Sequence, residues 1–137
     1  MSELRIGNPL TPYTIADGAT INPGELVALN AAGTAVPASD TAGLTVVGIA
    51  ERVEDGAVEV SCGIIGIAND ATAPVTRAAR GSAVYVKDSL TVASAATNEI
   101  PAGICVDVYE GTVYVDTTPA AIAAAKNAAA IAAAKNA

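Results

Sequence analysis

A chain of 137 residues is long enough for one domain with a real core and short for two of ordinary size. Fourteen Asp and Glu against seven Lys and Arg leave a net charge of -7, so phosphate backbones and anionic membrane surfaces exert no attraction, and neither nucleic acid nor membrane is expected as a partner. With no His, Trp or Phe in the chain, the commonest general base, a common zinc ligand and most base-stacking platforms are missing; no enzyme mechanism and no cofactor is expected.

The first segment, Met1 to Pro12, is polar and punctuated by proline, which suits a central strand poorly. It is read as an arm (residues 1–12) with two open readings: a segment that orders on a partner by adding a strand to a sheet edge, with Leu4, Arg5, Ile6, Asn8 and Leu10 as its contact residues, or a frayed terminus with no role. It holds no apolar stretch of the secretory type, so synthesis in a reducing cytoplasm is expected. Residues 13–117 then form a succession of short Val/Ile/Thr/Tyr-rich segments separated by Gly, Pro, Asn and Asp. Such a pattern predicts an all-β domain, a compact sandwich or barrel of short antiparallel strands. The expected strands are Tyr13 to Ala16, Glu25 to Asn30, Leu44 to Val53, Ala57 to Ala68 with a break near Gly63, Ala83 to Lys87, Leu90 to Ala93, Gly103 to Tyr109 and Thr112 to Thr117.

Two hairpins have a readable register. With Asp55-Gly56 as a two-residue type I′ turn, Val53 faces Val58, Arg52 faces Glu59 and Ile49 faces Cys62, while Glu51 falls awkwardly opposite Val60. With Glu110-Gly111 as the second turn, Val108 faces Val113, Val106 faces Val115 and Asp107 faces Tyr114. Strict alternation then puts Ile104, Val106 and Val108 inside and Cys105 outside with Asp107 and Tyr109. By the same rule Cys62 follows Val58 and Val60 into the core. Tyr85 to Val92 reads as a hairpin around Asp88-Ser89 in which no register places every apolar residue on one face.

After Thr118, a suitable N-cap, and Pro119, a suitable first helical residue, the composition becomes mostly alanine, which predicts a C-terminal helix over 118–137. Ile122-Ala-Ala-Ala-Lys126-Asn127 recurs as Ile131-Ala-Ala-Ala-Lys135-Asn136, and this spacing sends the two isoleucines to opposite faces. A solvated helix or spacer is the expectation, with docking on a partner through its small-residue surface as the alternative.

Few residues suggest chemistry. Glu51, Glu54, Asp55 and Glu59 cluster in sequence, but the hairpin register assigns Glu59 to a surface pair with Arg52 and Asp55 to a turn. Gly63-Ile-Ile-Gly66 lacks the lysine and helix of a phosphate-cradling loop and reads as a bend between strands. Arg77 and Arg80 are a close basic pair that reads equally well as a dock for an acidic neighbour or as a solvated loop. Cys62 and Cys105 lack metal or redox spacing and are expected as free thiols. No serine has a His partner or a GxSxG context.

The runs Pro23-Gly-Glu-Leu-Val-Ala-Leu29, Thr45-Val-Val-Gly-Ile-Ala50, Gly81-Ser-Ala-Val-Tyr-Val86 and Ile100-Pro-Ala-Gly-Ile-Cys-Val-Asp-Val-Tyr109 together resemble the small capsid decoration, or cement, proteins of tailed bacteriophages. The likeness spans about residues 10–117 and leaves the alanine repeat outside it. It implies a structural protein on the outer surface of the virion that assembles, often as a trimer, and bridges neighbouring major capsid subunits. Under that reading Leu4, Arg5, Ile6, Asn8, Leu10, Arg77 and Arg80 are the candidate capsid contacts, and no catalytic, metal or cofactor residue is expected. A second class, a non-catalytic carbohydrate-binding or adhesin-like β-module, needs exposed aromatics, for which Tyr13, Tyr85, Tyr109 and Tyr114 are available.

Overall fold

A computed structural model describes residues 10–135 of the chain. Ten strands precede one helix: β1 Thr11–Thr14, β2 Leu26–Leu29, β3 Ala35–Pro37, β4 Thr45–Glu54, β5 Ala57–Ser61, β6 Ile64–Asn69, β7 Ala83–Asp88, β8 Thr91–Ala93, β9 Pro101–Tyr109, β10 Thr112–Asp116 and α1 Pro119–Lys135. The fold is all-β with a C-terminal helix, as the composition predicts. Most strand ends differ from expectation by one or two residues, and two differences matter more. Thr11 and Pro12 belong to β1 rather than to the arm, and Pro12 is tolerated there because β1 ends its sheet and pairs on one side only. The strand β3, three residues bounded by loops, is too short to carry a pattern and goes unpredicted.

The strands form two sheets of the same design. The first runs β1-β5-β4-β2-β3, and its outer strands touch through a single parallel bridge, Ile15 to Ala35. The second, β6-β10-β9-β7-β8, closes into a barrel because β8 pairs with β6. That closing pair is parallel, a departure from the purely antiparallel expectation. Strand for strand the second sheet repeats the first. The register repeats as well: Leu26 pairs Ile49 and Val27 pairs Gly48, just as Ala83 pairs Ile104 and Val84 pairs Gly103. The amide of Gly24 donates to the carbonyl of Ala50 (2.8 Å) and that of Gly81 to Cys105 (2.8 Å). Ile21 and Val75, each in the loop after the first strand of its repeat, are both buried. The domain is therefore two tandem copies of one β-unit, residues 10–61 and 64–116, followed by a helix.

Each hairpin carries a bulge, and this corrects the simple alternation. In β4, Arg52 pairs Glu59 and Ala50 pairs Val60, leaving Glu51 as the extra residue, so Ile49 meets Ser61 rather than Cys62. The misfit of Glu51 against Val60 disappears: its carboxylate turns outward and accepts a hydrogen bond from the Ser61 hydroxyl at 2.5 Å. In β9 the extra residue is Val106; Asp107 pairs Tyr114, but Cys105 pairs Val115. Cys105 is consequently buried and Val106 exposed, the reverse of the expectation. Cys62 lies past the end of β5 and is only half-buried. A third bulge, at Lys87 between the Val86–Val92 and Asp88–Thr91 pairs, explains why no regular register fits Tyr85 to Val92.

The interior of the first repeat is built from Ile21, Val27, Ala35, Ala50, Val58 and Val60. The second has a larger core, because residues on the opposite side of the first sheet, Leu26, Ala28, Ala38 and Val46, pack into one cluster with Val84, Val86, Ile100, Ala102, Val113, Val115 and Ile122. Thr118 caps α1 as expected, its hydroxyl accepting from the amide of Ala121 at 3.3 Å and its carbonyl from Ile122 at 2.9 Å. The helix is not a free spacer: Ala121, Ile122 and Ala125 are buried and the first turns lie against β9 and β7. The opposite-face reading of the two isoleucines holds, with Ile122 5 % exposed and Ile131 50 %. One step past the Asp116–Ile64 pair, the buried Thr117 donates its hydroxyl to the carbonyl of Gly63 and its Oγ1 accepts from the Gly63 amide, at 2.8 and 3.0 Å, extending the β6–β10 ladder to the start of the helix.

Candidate protein-docking face

The duplication lets one repeat serve as a reference for the other. The two hairpins align as Gly48-Ile49-Ala50-Glu51-Arg52-Val53-Glu54-Asp55-Gly56-Ala57-Val58-Glu59-Val60 and Gly103-Ile104-Cys105-Val106-Asp107-Val108-Tyr109-Glu110-Gly111-Thr112-Val113-Tyr114-Val115. Both turns are type I′, with φ of 51° and 75° at Asp55 and Gly56 and of 49° and 80° at Glu110 and Gly111. Inside, the copies agree: Val58, Val60 and Ala50 are buried in one, Val113, Val115 and Cys105 in the other. Outside they diverge. Glu51, Glu54 and Glu59 on the first hairpin are replaced by Val106, Tyr109 and Tyr114, which are 42 %, 55 % and 38 % exposed.

These three side chains belong to one patch. Tyr109 pairs with Thr112 and Tyr114 with Asp107, which places both rings on the outer face as diagonal neighbours across β9 and β10. On the far side of β10, Tyr114 pairs with Gly66 and leans over it: a Cβ at Gly66 would stand 3.3 Å from the ring. Ile64, 63 % exposed, extends the patch along β6 opposite Asp116. The equivalent face of the first repeat is ionic instead, with Arg52 Nε 2.8 Å from Glu59 and 3.7 Å from Glu54. The acidic residues of the first hairpin are thus a solvated surface pair and a turn, as their register implies.

A second difference falls on the same face. Between Val75 and Gly81 the second repeat inserts one turn of 3-10 helix, Arg77–Ala79, where the first passes directly from Ile21 to Gly24. Arg77 and Arg80, the basic pair singled out in the sequence, flank this turn and are exposed. Arg77 donates from Nε to the carbonyl of Val108 at 3.0 Å and stands 3.5 Å from the Asp107 carboxylate, which fixes its guanidinium beside the tyrosines. Of the other candidate contacts, Leu10 is exposed just before β1, whereas Leu4, Arg5, Ile6 and Asn8 lie outside the described residues.

Sequence reasoning found Arg77 and missed the patch. The available signal was the recurrence of Gly-Ile-x-x-x-Val-x-x-Gly-x-Val-x-Val between the halves, which sets glutamate against tyrosine position by position. Of the remaining aromatics, Tyr85 is half-buried, its phenol pushed above the ordinary tyrosine range by burial and by Glu99, and Tyr13 is half-buried on β1 of the first repeat. Burial also raises the Cys105 thiol, helped by Asp107 and opposed by Arg80. Among the described residues no three His, Cys, Asp or Glu side chains converge as a metal site. Among the described residues no helix is long and apolar enough to cross a membrane. Comparison with protein-family models, with curated proteins and with solved structures finds no match.

Proposed function

We propose that this chain is a structural virion protein that binds the outside of a tailed-phage capsid and stabilises it by bridging major capsid subunits, using the face formed by β6, β9 and β10 with Arg77 and Arg80. The observation that carries the docking face is the replacement of two exposed glutamates and a half-buried one, Glu51, Glu54 and Glu59, by the exposed Val106, Tyr109 and Tyr114. Exposed tyrosines and an arginine around an apolar centre have the composition of an interface hot spot. The capsid as partner, and a trimeric arrangement on it, rest on the resemblance of residues 10–117. A cement protein needs rigidity and complementary surface rather than reactive groups, and weak contacts repeated by symmetry sum to high avidity.

Binding that favours the assembled shell must stabilise it by linkage. Saturating protein is expected to co-sediment with expanded shells of the parent phage and raise their disruption temperature. The double variant Tyr109→Glu/Tyr114→Glu, which copies the first repeat, should keep its thermal midpoint and lose both effects. Saturating wild-type protein that does neither would sink the capsid reading. A sugar-binding module is the second reading, favoured by two tyrosine rings exposed on one face; it is selected if a glycan array, and no shell, retains the wild-type protein and releases the double variant.

A further inference from the structure

The duplication exposes another discrepancy, in the first repeat. A groove of about 370 Å³ runs between β1, the start of β4 and α1, bounded by Tyr13, Thr45, Val47, Ile122, Ala123 and Lys126. In the second repeat the positions of Tyr13, Thr45 and Val47 are taken by Ile67, Ile100 and Ala102, all buried, whereas the first-repeat residues are only half-buried. The three buried residues lie in the cluster that Ile122 of α1 joins, and α1 packs on β9, the strand carrying Ala102. An isoleucine delivered by a helix thus completes this surface in the second repeat, while the equivalent surface of the first stays open.

We infer that Ile131 of a second copy of this chain, carried on its α1, fills the groove. The helix holds the docked sequence twice: Ile122-Ala-Ala-Ala-Lys126 recurs as Ile131-Ala-Ala-Ala-Lys135, one motif for each β-unit. Only the first is used within the chain, since Ile122 is buried and Ile131 is 50 % exposed. Nine residues along α1 turn Ile131 to the opposite face and carry it about 14 Å past Ile122, so it cannot share that residue's seat. Charge favours the pairing. Residues 10–61 hold seven carboxylates and one arginine, whereas α1 holds Lys126 and Lys135 and no carboxylate, so the helix of one copy is attracted to the first repeat of another. Each chain offers one open groove and one unused isoleucine, and closure into a symmetric pair or ring leaves neither exposed. None of the residues of the tyrosine face takes part, so the contact is independent of what that face binds.

The chain contains no tryptophan, so Tyr13→Trp makes a single fluorophore in the groove wall. As concentration rises, the mass by sedimentation equilibrium should exceed that of one chain, the emission should shift to the blue in step, and acrylamide quenching should fall severalfold. Ile131→Asp is expected to abolish all three while keeping the far-ultraviolet strand signal and the thermal midpoint measured in dilute solution. The contact is also testable in trans: a Tyr13→Trp/Ile131→Asp protein should regain the blue shift when excess chain with native Tyr13 and Ile131 is added. A single-chain mass at every concentration overturns the inference. So does association that survives Ile131→Asp, or a blue shift that appears only when capsid shells are added. Should Tyr13→Trp fail to fold, hydrogen exchange on the unsubstituted chain decides: amides of Thr45 to Val47 must gain protection as concentration rises, and Ile131→Asp must remove that gain. Exchange that does not change with concentration refutes the contact.

Discussion

Gly48 and Gly103 are the sharpest test of the duplicated architecture. Each follows β-strand pairing into a bulge at positive φ, 145° and 149°, a region where an L side chain costs on the order of 1–3 kcal/mol by backbone strain alone. Space makes matters worse. A Cβ on Gly103 would sit 2.1 Å from the carbonyl oxygen of Asp116 and 2.8 Å from Val115 Cγ1; on Gly48 it would sit 2.1 Å from the Ser61 oxygen and 2.8 Å from Val60 Cγ1. Relief requires the partner strand to move by more than an ångström, which breaks neighbouring ladder hydrogen bonds worth about 1 kcal/mol each. Gly103→Ala and Gly48→Ala should therefore each cost about 3–5 kcal/mol. At this chain length a kcal/mol shifts the midpoint by about 4 °C, so falls of roughly 12–20 °C are expected. Gly111→Ala is the control: φ is 80° there, but nothing lies within 4 Å of the added methyl, and about 1–2 kcal/mol is expected. Urea titrations of the four proteins give the energies directly. If either bulge variant costs no more than Gly111→Ala, the close approach of these strands is wrong.

Ile122→Ala removes a core side chain and should cost about 2–4 kcal/mol, whereas Ile131→Ala, at an exposed helical site, should stay within about 0.5 kcal/mol; equal midpoints in thermal melts would refute the docking of α1. Iodoacetamide on native, unreduced protein should label Cys62 well before Cys105, and denatured protein should show two labelled thiols by mass. Because the folded Cys105 thiol has its pKa raised, the stability it contributes is complete below the unfolded thiol pKa of about 8.5 and declines as pH rises through the folded value. Cys105→Ala, which installs the residue found at the equivalent Ala50, should flatten that alkaline decline in midpoint; an unchanged slope would leave it to other groups such as Tyr85.

The parts of the fold legible in the sequence were those set by local chemistry. Asp55-Gly56 and Glu110-Gly111 specify type I′ turns, and the residues next to them, Val53 with Val58 and Val108 with Val113, pair as expected because register propagates reliably for a few positions from a tight turn. Beyond Arg52 and Asp107 it fails. Glu51 and Val106 occupy bulges, and one extra residue exchanges inside for outside along the rest of the strand, which is why Cys105 and Val106 appear with their environments reversed. Helix capping at Thr118 was equally local and equally readable, whereas the docking of Ile122 depends on Ala102 and Val46, which are distant in sequence. Arg77 stood out as a basic residue in a long acidic chain. The tyrosine patch did not, because Tyr109 and Tyr114 look like ordinary strand residues until the first hairpin supplies glutamates for comparison.

The shared core has a bearing on cooperativity. Separating the repeats would uncover Leu26, Ala28, Ala38 and Val46, which find their apolar partners in the other copy. A state with one repeat folded and the other melted thus carries exposed core on its surface. Two units that look separable on a topology diagram are thereby coupled in a single unfolding transition.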